Sequence, residues 1–148
     1  MSRRDLIDPE SRQPLDQLQA VLPGGFNAIP DIVARREAAA QLLAAIEIPP
    51  NPNVTHEDLT VPGPEGAPDI TVRVYRPANA TGTLPGIYFI HGGGMILGSV
   101  EAENAAAEAI CEQVGAVVVS VEYRLAPENP HPAQSEDCYA GLVWMARN

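Results

Sequence analysis

The stretch from Pro85 to Ser99, Pro-Gly-Ile-Tyr-Phe-Ile-His-Gly-Gly-Gly-Met-Ile-Leu-Gly-Ser, constrains this chain more than any other. Gly86 to Ile90 is a short, nearly continuous apolar run. Such a run predicts a central strand of a parallel sheet, buried on both faces. It ends on His91, Gly92, Gly93 and Gly94. Consecutive glycines carry a backbone-entropy cost. They fit where the backbone takes unusual angles or where something approaches it closely. Beyond the carboxyl end of a parallel strand, that something is usually a ligand.

Phosphate binding is one rival reading of the glycines. Gly93-x-x-x-x-Gly98 has the spacing of a phosphate loop, but Ser99 stands where lysine is required. The dinucleotide pattern G-x-G-x-x-G fails too, since from Gly92 and Gly94 its last position is Leu97. A tight turn that is merely glycine-rich is the remaining structural alternative.

Two further signatures follow: Tyr123-Arg-Leu-Ala-Pro-Glu128, then Glu136-Asp137-Cys138. With His91 to Gly94 and Gly98-Ser99 before them, they resemble the motifs of the hormone-sensitive-lipase-like carboxylesterases of the α/β-hydrolase family. The resemblance runs from Leu84 to Asn148 and is unspecific before that. It implies an α/β fold: the N-terminal part of an α/β-hydrolase, with a mostly parallel sheet, helices on both faces and N-terminal cap helices. Residues 1–50 are then a helical cap segment, and 51–148 the N-terminal portion of the catalytic domain. It also implies that Gly92 and Gly93 form an oxyanion hole through their N–H groups. His91 and Gly94 would shape that loop. No metal and no cofactor is implied. The partners expected are a small-molecule ester and either the C-terminal portion of the same enzyme or another copy of the chain.

The nucleophile is missing from this picture. The serines are Ser2, Ser11, Ser99, Ser120 and Ser135, and none has glycine two residues before and two after. The Gly-x-Ser-x-Gly elbow and the acid and histidine that follow it in such enzymes are therefore expected outside this chain. The reading is a serine esterase or lipase to which this chain supplies the oxyanion loop, inactive alone. The alternative is an inactive truncated homologue that binds a small ligand or a protein. The resemblance also implies that a strand over Ala116–Val121 lies between the second strand and Gly86–Ile90. The other edge of Gly86–Ile90 would then await the nucleophile strand.

Net charge is −10, from nine basic and nineteen acidic residues. That opposes nucleic-acid or anionic-membrane binding, which needs a basic patch. The apolar fraction of 45% suits a folded core. Met1 to Asp5 lead into no apolar signal-like run, and no run reaches the ~18 residues of a membrane span. A cytoplasmic protein without stable membrane insertion is the expectation. Cys111 and Cys138 each fall in a helical apolar pattern, which predicts buried free thiols.

Helices are expected around Pro9 to Leu22 and from near Pro30 to Ile46, separated by Pro23-Gly24-Gly25. Strands are expected at His56–Val61 and Asp69–Tyr75. In the second, Ile70, Val72 and Val74 face inward, while Thr71, Arg73 and Tyr75 face water. A helix from Glu101 to Val114 should bury Ala106, Ile110 and Val114, with Ser99 as its N-cap and Gly115 past its end. A last helix from Gln134 to Met145 should bury Cys138, Leu142 and Met145. Arg124 is an obvious partner for Glu128. Asp137 suits the first turn of its helix. His56 and His131 read as structural or exposed.

Overall fold

A two-residue apolar period dominates the chain from Val54 onward, and it produces a sheet. The computed structural model describes residues 3–46 and 48–148. The expectations that touch Met1 and Ser2 lie outside those residues. The strands are β1 (Val54–Val61), β2 (Ile70–Pro77), β3 (Gly86–Ile90) and β4 (Val117–Glu122). They lie in the order β1-β2-β4-β3, so β4 sits between β2 and β3.

The sheet is mixed, which corrects the expectation of a mostly parallel one for these residues. β1 with β2 and β2 with β4 are antiparallel; β3 with β4 is parallel. Connection type explains the split. β1 returns directly into β2 through a turn-rich loop. β3 reaches β4 through helix α3 (Asn104–Val114), and parallel strands need such a crossover. β3 was expected to be buried on both faces. Here β4 covers one of its edges, Ile87, Tyr88 and Phe89 are half-buried, and Ile90 is 51% exposed.

Each face of the sheet has its own core. On one, Ile70, Val72, Val119 and Val121 pack with Cys138, Trp144 and Met145 of helix α4 (Ala133–Arg147). On the other, Tyr75 and Val118 pack with Ala107 and Cys111 of α3. Burial of each such valine stabilises by about 1.5–3 kcal/mol. Tyr75 is thus fully buried, not wet, because α3 covers the second face of β2.

The helix faces are rotated from those expected. In α3, Ala107, Glu108 and Cys111 are buried, while Ala106 and Val114 are exposed. Small side chains at 107 and 111 let the helix come close to the strands. α3 also begins three residues later than expected. The hydroxyl of Ser99 accepts from the Ala102 N–H at 3.0 Å, closing a separate turn that precedes the helix. Gly115 ends the helix in the left-handed region, at φ 70°. In α4, Gln134, Asp137 and Gly141 are buried, and Leu142 is 44% exposed. Gly141 sets this face. A Cβ there would collide with the Tyr88 hydroxyl, which donates to the Cys138 carbonyl at 2.8 Å.

The N-terminal residues form a separate unit, Met1–Ala45, against Ile46–Asn148 for the rest. It contains helices α1 (Pro9–Val21) and α2 (Ile32–Ala44), with no fully buried residue in either. The second helix starts after Pro30 because the Asp31 carboxylate is its cap, accepting from the Ala34 N–H at 2.8 Å.

Both cysteines are free. Cys111 is fully buried and Cys138 half-buried, and burial raises the pKa of each thiol. Thiol labelling of the native chain should therefore be slow at both, and slowest at Cys111. Equal, rapid labelling of the two would contradict this arrangement of α3 and α4.

Candidate functional site

The candidate site lies at the carboxyl end of β3. There the chain turns through His91 and three exposed glycines, Gly92, Gly93 and Gly94. Backbone angles show why glycine is used. φ is +122° at Gly93, +61° at Gly94 and +93° at Gly98, and Met95 also lies at +65°. A Cβ on Gly93 would run into the Leu97 carbonyl, and one on Gly98 into the Gly92 carbonyl. A Cβ on Gly92 would meet nothing within 4 Å. The loop closes on itself through Leu97 N–H to the Gly93 carbonyl at 3.0 Å.

His91 faces inward and is only 3% exposed. Its Nδ1 lies 2.8 Å from the Gly92 carbonyl oxygen. That oxygen can only accept, so Nδ1 carries the proton. Nε2 is buried with no protein partner among the described residues. The imidazole stacks on the Tyr123 ring, with centroids 4.1 Å apart and planes 10° off parallel. The Tyr123 hydroxyl donates to the His91 carbonyl at 2.9 Å. Burial raises the pKa of that phenol, so it stays a donor across the neutral range.

The second signature lies against this loop. The Ala126 N–H donates to the Met95 carbonyl at 2.9 Å. Arg124 engages Asp137, where the sequence suggested Glu128. Nε and Nη2 reach the two carboxylate oxygens at 2.8 and 2.7 Å, and the Arg124 backbone N–H adds a third bond at 2.9 Å. Asp137 is fully buried. The carboxylate therefore binds the loop after β4, not merely the helix that carries it. Sequence reasoning missed Tyr123 as a neighbour of the glycine loop, although it stands first in the Tyr-Arg-Leu-Ala-Pro-Glu signature.

A second polar cluster lies on the α3 side. Arg73 binds both Asp58 oxygens, at 2.6 and 3.0 Å, and reaches Glu101 and Asn104 at 2.7 and 3.0 Å. Its hydrogen bond holds the Asp58 carboxyl below the usual range. The Tyr75 hydroxyl bonds Asn104 at 3.0 Å, and burial pushes its pKa up to about 12. His56 sits 3.4 Å from Glu108. Every member is matched to another, which is the pattern of a structural brace for β1, β2 and α3. No group of three or more metal-ligating side chains occurs among the described residues. Among them, no helix is long and apolar enough to cross a membrane.

Known proteins resemble this chain over most of its length. A family model described as the alpha/beta hydrolase fold matches residues 87–148. A carboxylic ester hydrolase of Mycobacterium tuberculosis, LipN, is 38% identical over 140 residues, covering 93% of this chain and 36% of that protein. The carboxylesterase NlhH of the same species is 38% identical over 142 residues, covering 96% and 42%. Among solved structures, a bacterial heroin esterase superposes with a TM-score of 0.82 at 30% identity, covering 99% of this chain and 44% of its own. A hyperthermophilic esterase from the archaeon Pyrobaculum calidifontis gives 0.78 at 40% identity, covering 96% and 44%. The chain thus spans between 36% and 44% of the length of these relatives.

The loop's angles predict an order of stability losses. Gly92→Ala should leave the denaturant midpoint unchanged. Gly94→Ala should cost about 1 kcal/mol for its left-handed angle alone. Gly98→Ala, strained and also colliding with backbone, should cost about 2–3 kcal/mol. Urea unfolding of the three variants measures this. A Gly98→Ala protein as stable as Gly92→Ala would contradict the loop's conformation.

Proposed function

From the premise that this chain belongs to the α/β-hydrolase family, among esterase relatives, we propose that it is the oxyanion-loop part of a carboxylic ester hydrolase acting through a serine. The single observation that carries the reading is the exposed glycine run, held at the carboxyl end of β3 with Gly93 and Gly94 in left-handed conformations. A loop of this kind lets a substrate carbonyl approach the backbone closely.

The chemistry follows from that role. A serine Oγ supplied with the rest of the enzyme attacks the ester carbonyl while a histidine takes its proton. The carbonyl oxygen gains negative charge. The N–H groups of Gly92 and Gly93, with that of the residue after the nucleophile, donate hydrogen bonds to this oxyanion. Collapse of the intermediate expels the alcohol, and water then releases the acid from the acyl-enzyme. His91 and Gly94 shape the loop. Residues 1–50 are assigned to a helical cap segment. No metal or cofactor takes part.

The nucleophile reaches this chain through β3. The edge of that strand not paired with β4 carries half-buried Ile87, Tyr88 and Phe89, and Ile90 is 51% exposed. An open edge of this composition invites a further strand. We assign it to the C-terminal portion of the enzyme, as the same or a separate polypeptide, or to another copy of the chain.

Native mass analysis together with p-nitrophenyl ester hydrolysis tests the proposal. Activity should accompany a polypeptide that contains Gly-x-Ser-x-Gly. Gly92→Ala keeps its N–H but sets a methyl group in the open space the ester must enter, so it should lower kcat roughly tenfold without loss of stability. A monomer of 15.7 kDa that unfolds cooperatively and hydrolyses no ester would sink the reading and favour a binding module.

A further inference from the structure

Four residues between His91 and Ser99 sit at positive φ, and one of them, Met95, is not glycine. Local preference does not hold such a segment in one shape. Contacts from outside must. Two come from the segment after β4, and they bracket the exposed glycines: Tyr123 Oη to the His91 carbonyl, and Ala126 N–H to the Met95 carbonyl, each 2.9 Å.

Peptide geometry turns these contacts into a statement about direction. In a trans peptide the C=O of one residue and the N–H of the next point opposite ways. The Tyr123 hydroxyl holds the His91 C=O on the buried side, so the Gly92 N–H points away from Tyr123. The His91 Nδ1–H holds the Gly92 C=O toward the imidazole, so the Gly93 N–H points away from that ring. The imidazole is itself fixed by the Tyr123 ring stacked on it at 4.1 Å. One side chain therefore governs both peptide planes, directly through its hydroxyl and indirectly through its ring. Tyr123 is 4% exposed, so water does not compete for these contacts. It is anchored in turn, because its neighbour Arg124 makes three bonds to buried Asp137.

We propose that Tyr123 is the positioning residue of the glycine loop: its hydroxyl orients the Gly92 N–H, and its ring, through His91, orients the Gly93 N–H. The inference rests on the esterase reading for its chemical meaning, but not for its geometry. Tyr123 touches no reacting atom.

Two variants separate the two arms. Tyr123→Phe keeps the ring and removes the hydroxyl. Tyr123→Leu removes both. The protein is purified with whatever polypeptide accompanies this chain, and two readouts are taken. One is steady-state hydrolysis of p-nitrophenyl butyrate. The other is hydrogen–deuterium exchange of the peptide spanning residues 91–99, with β1–β2 peptides as internal reference. Tyr123→Phe should lower kcat roughly tenfold with KM within about twofold, a fraction of the loss from deleting a donor outright. Tyr123→Leu should lower it by a further roughly tenfold, and the 91–99 peptide should exchange faster in both while the reference stays unchanged. Wild-type kcat and wild-type loop exchange in Tyr123→Phe would overturn the proposal. So would exchange that rises equally across the whole chain, because Tyr123 would then hold the fold and not the loop. If the wild type hydrolyses no ester but Tyr123→Phe still loosens only the 91–99 peptide, the esterase reading fails while the positioning role of Tyr123 stands.

Discussion

A buried carboxylate with all its bonds directed at one short segment underlies the rest of this structure. Asp137 is fully excluded from water, and removing a carboxylate from water costs several kcal/mol. Two side-chain bonds and one backbone bond from Arg124 offset that cost. The Arg124 side chain keeps 26% of its surface exposed, which moderates the pair's contribution. Breaking such a pair by removing one partner still costs on the order of 3 kcal/mol. The ion pair is thereby a geometric device. It joins the second turn of α4 to the first residues after β4, and those residues grip the glycine loop.

Much of this was legible in the sequence, and the boundary of legibility has a physical cause. Gly86–Ile90, the glycine loop and the αL glycine at 115 were readable because each depends on local chemistry: an apolar run, positive φ, a helix end. The place of β4 between β2 and β3 came through family resemblance, not through any local pattern. Faces and partners were less accessible. Tyr75 alternates with Val74 and reads as wet, yet α3 packs over it. Ala106 and Val114 fit a helical stripe as well as Ala107 and Cys111 do, and only the approach of the helix to the strands chooses between them. Leu142 looks like core, but Gly141 is the residue pressed against Tyr88, and it turns Leu142 outward. Arg124 has Glu128 nearby in sequence, while its carboxylate partner lies 13 residues on, in α4. Each error concerns a contact between elements, which sequence periodicity does not encode.

The two faces of the sheet hold their polar groups differently. On the α3 face the charges are shared: Arg73 spans Asp58, Glu101 and Asn104, and Asn104 passes the network on to Tyr75 and Glu108. Asp58 and Glu101 are well exposed, so this brace is screened and individually weak. On the α4 face a single buried pair does the tying. A screened brace tolerates adjustment, whereas a buried pair does not. The rigid arrangement lies on the side that reaches the glycine loop.

This arrangement also bears on β3, the strand that bears the loop. β3 is paired along one edge only, and its residues are half-buried. A loop that took its shape from the β3 environment would be loose until a further strand arrived. The contacts that shape it come instead from Tyr123, Ala126 and, behind them, Asp137, all on the β4 and α4 side. None of them belongs to the open edge. The contacts on the His91 and Met95 carbonyls therefore owe nothing to whatever pairs with β3. Under the esterase reading, a nucleophile brought to that edge meets a loop already formed. The ordering cost of the loop is then met during folding of this chain and not during assembly or turnover.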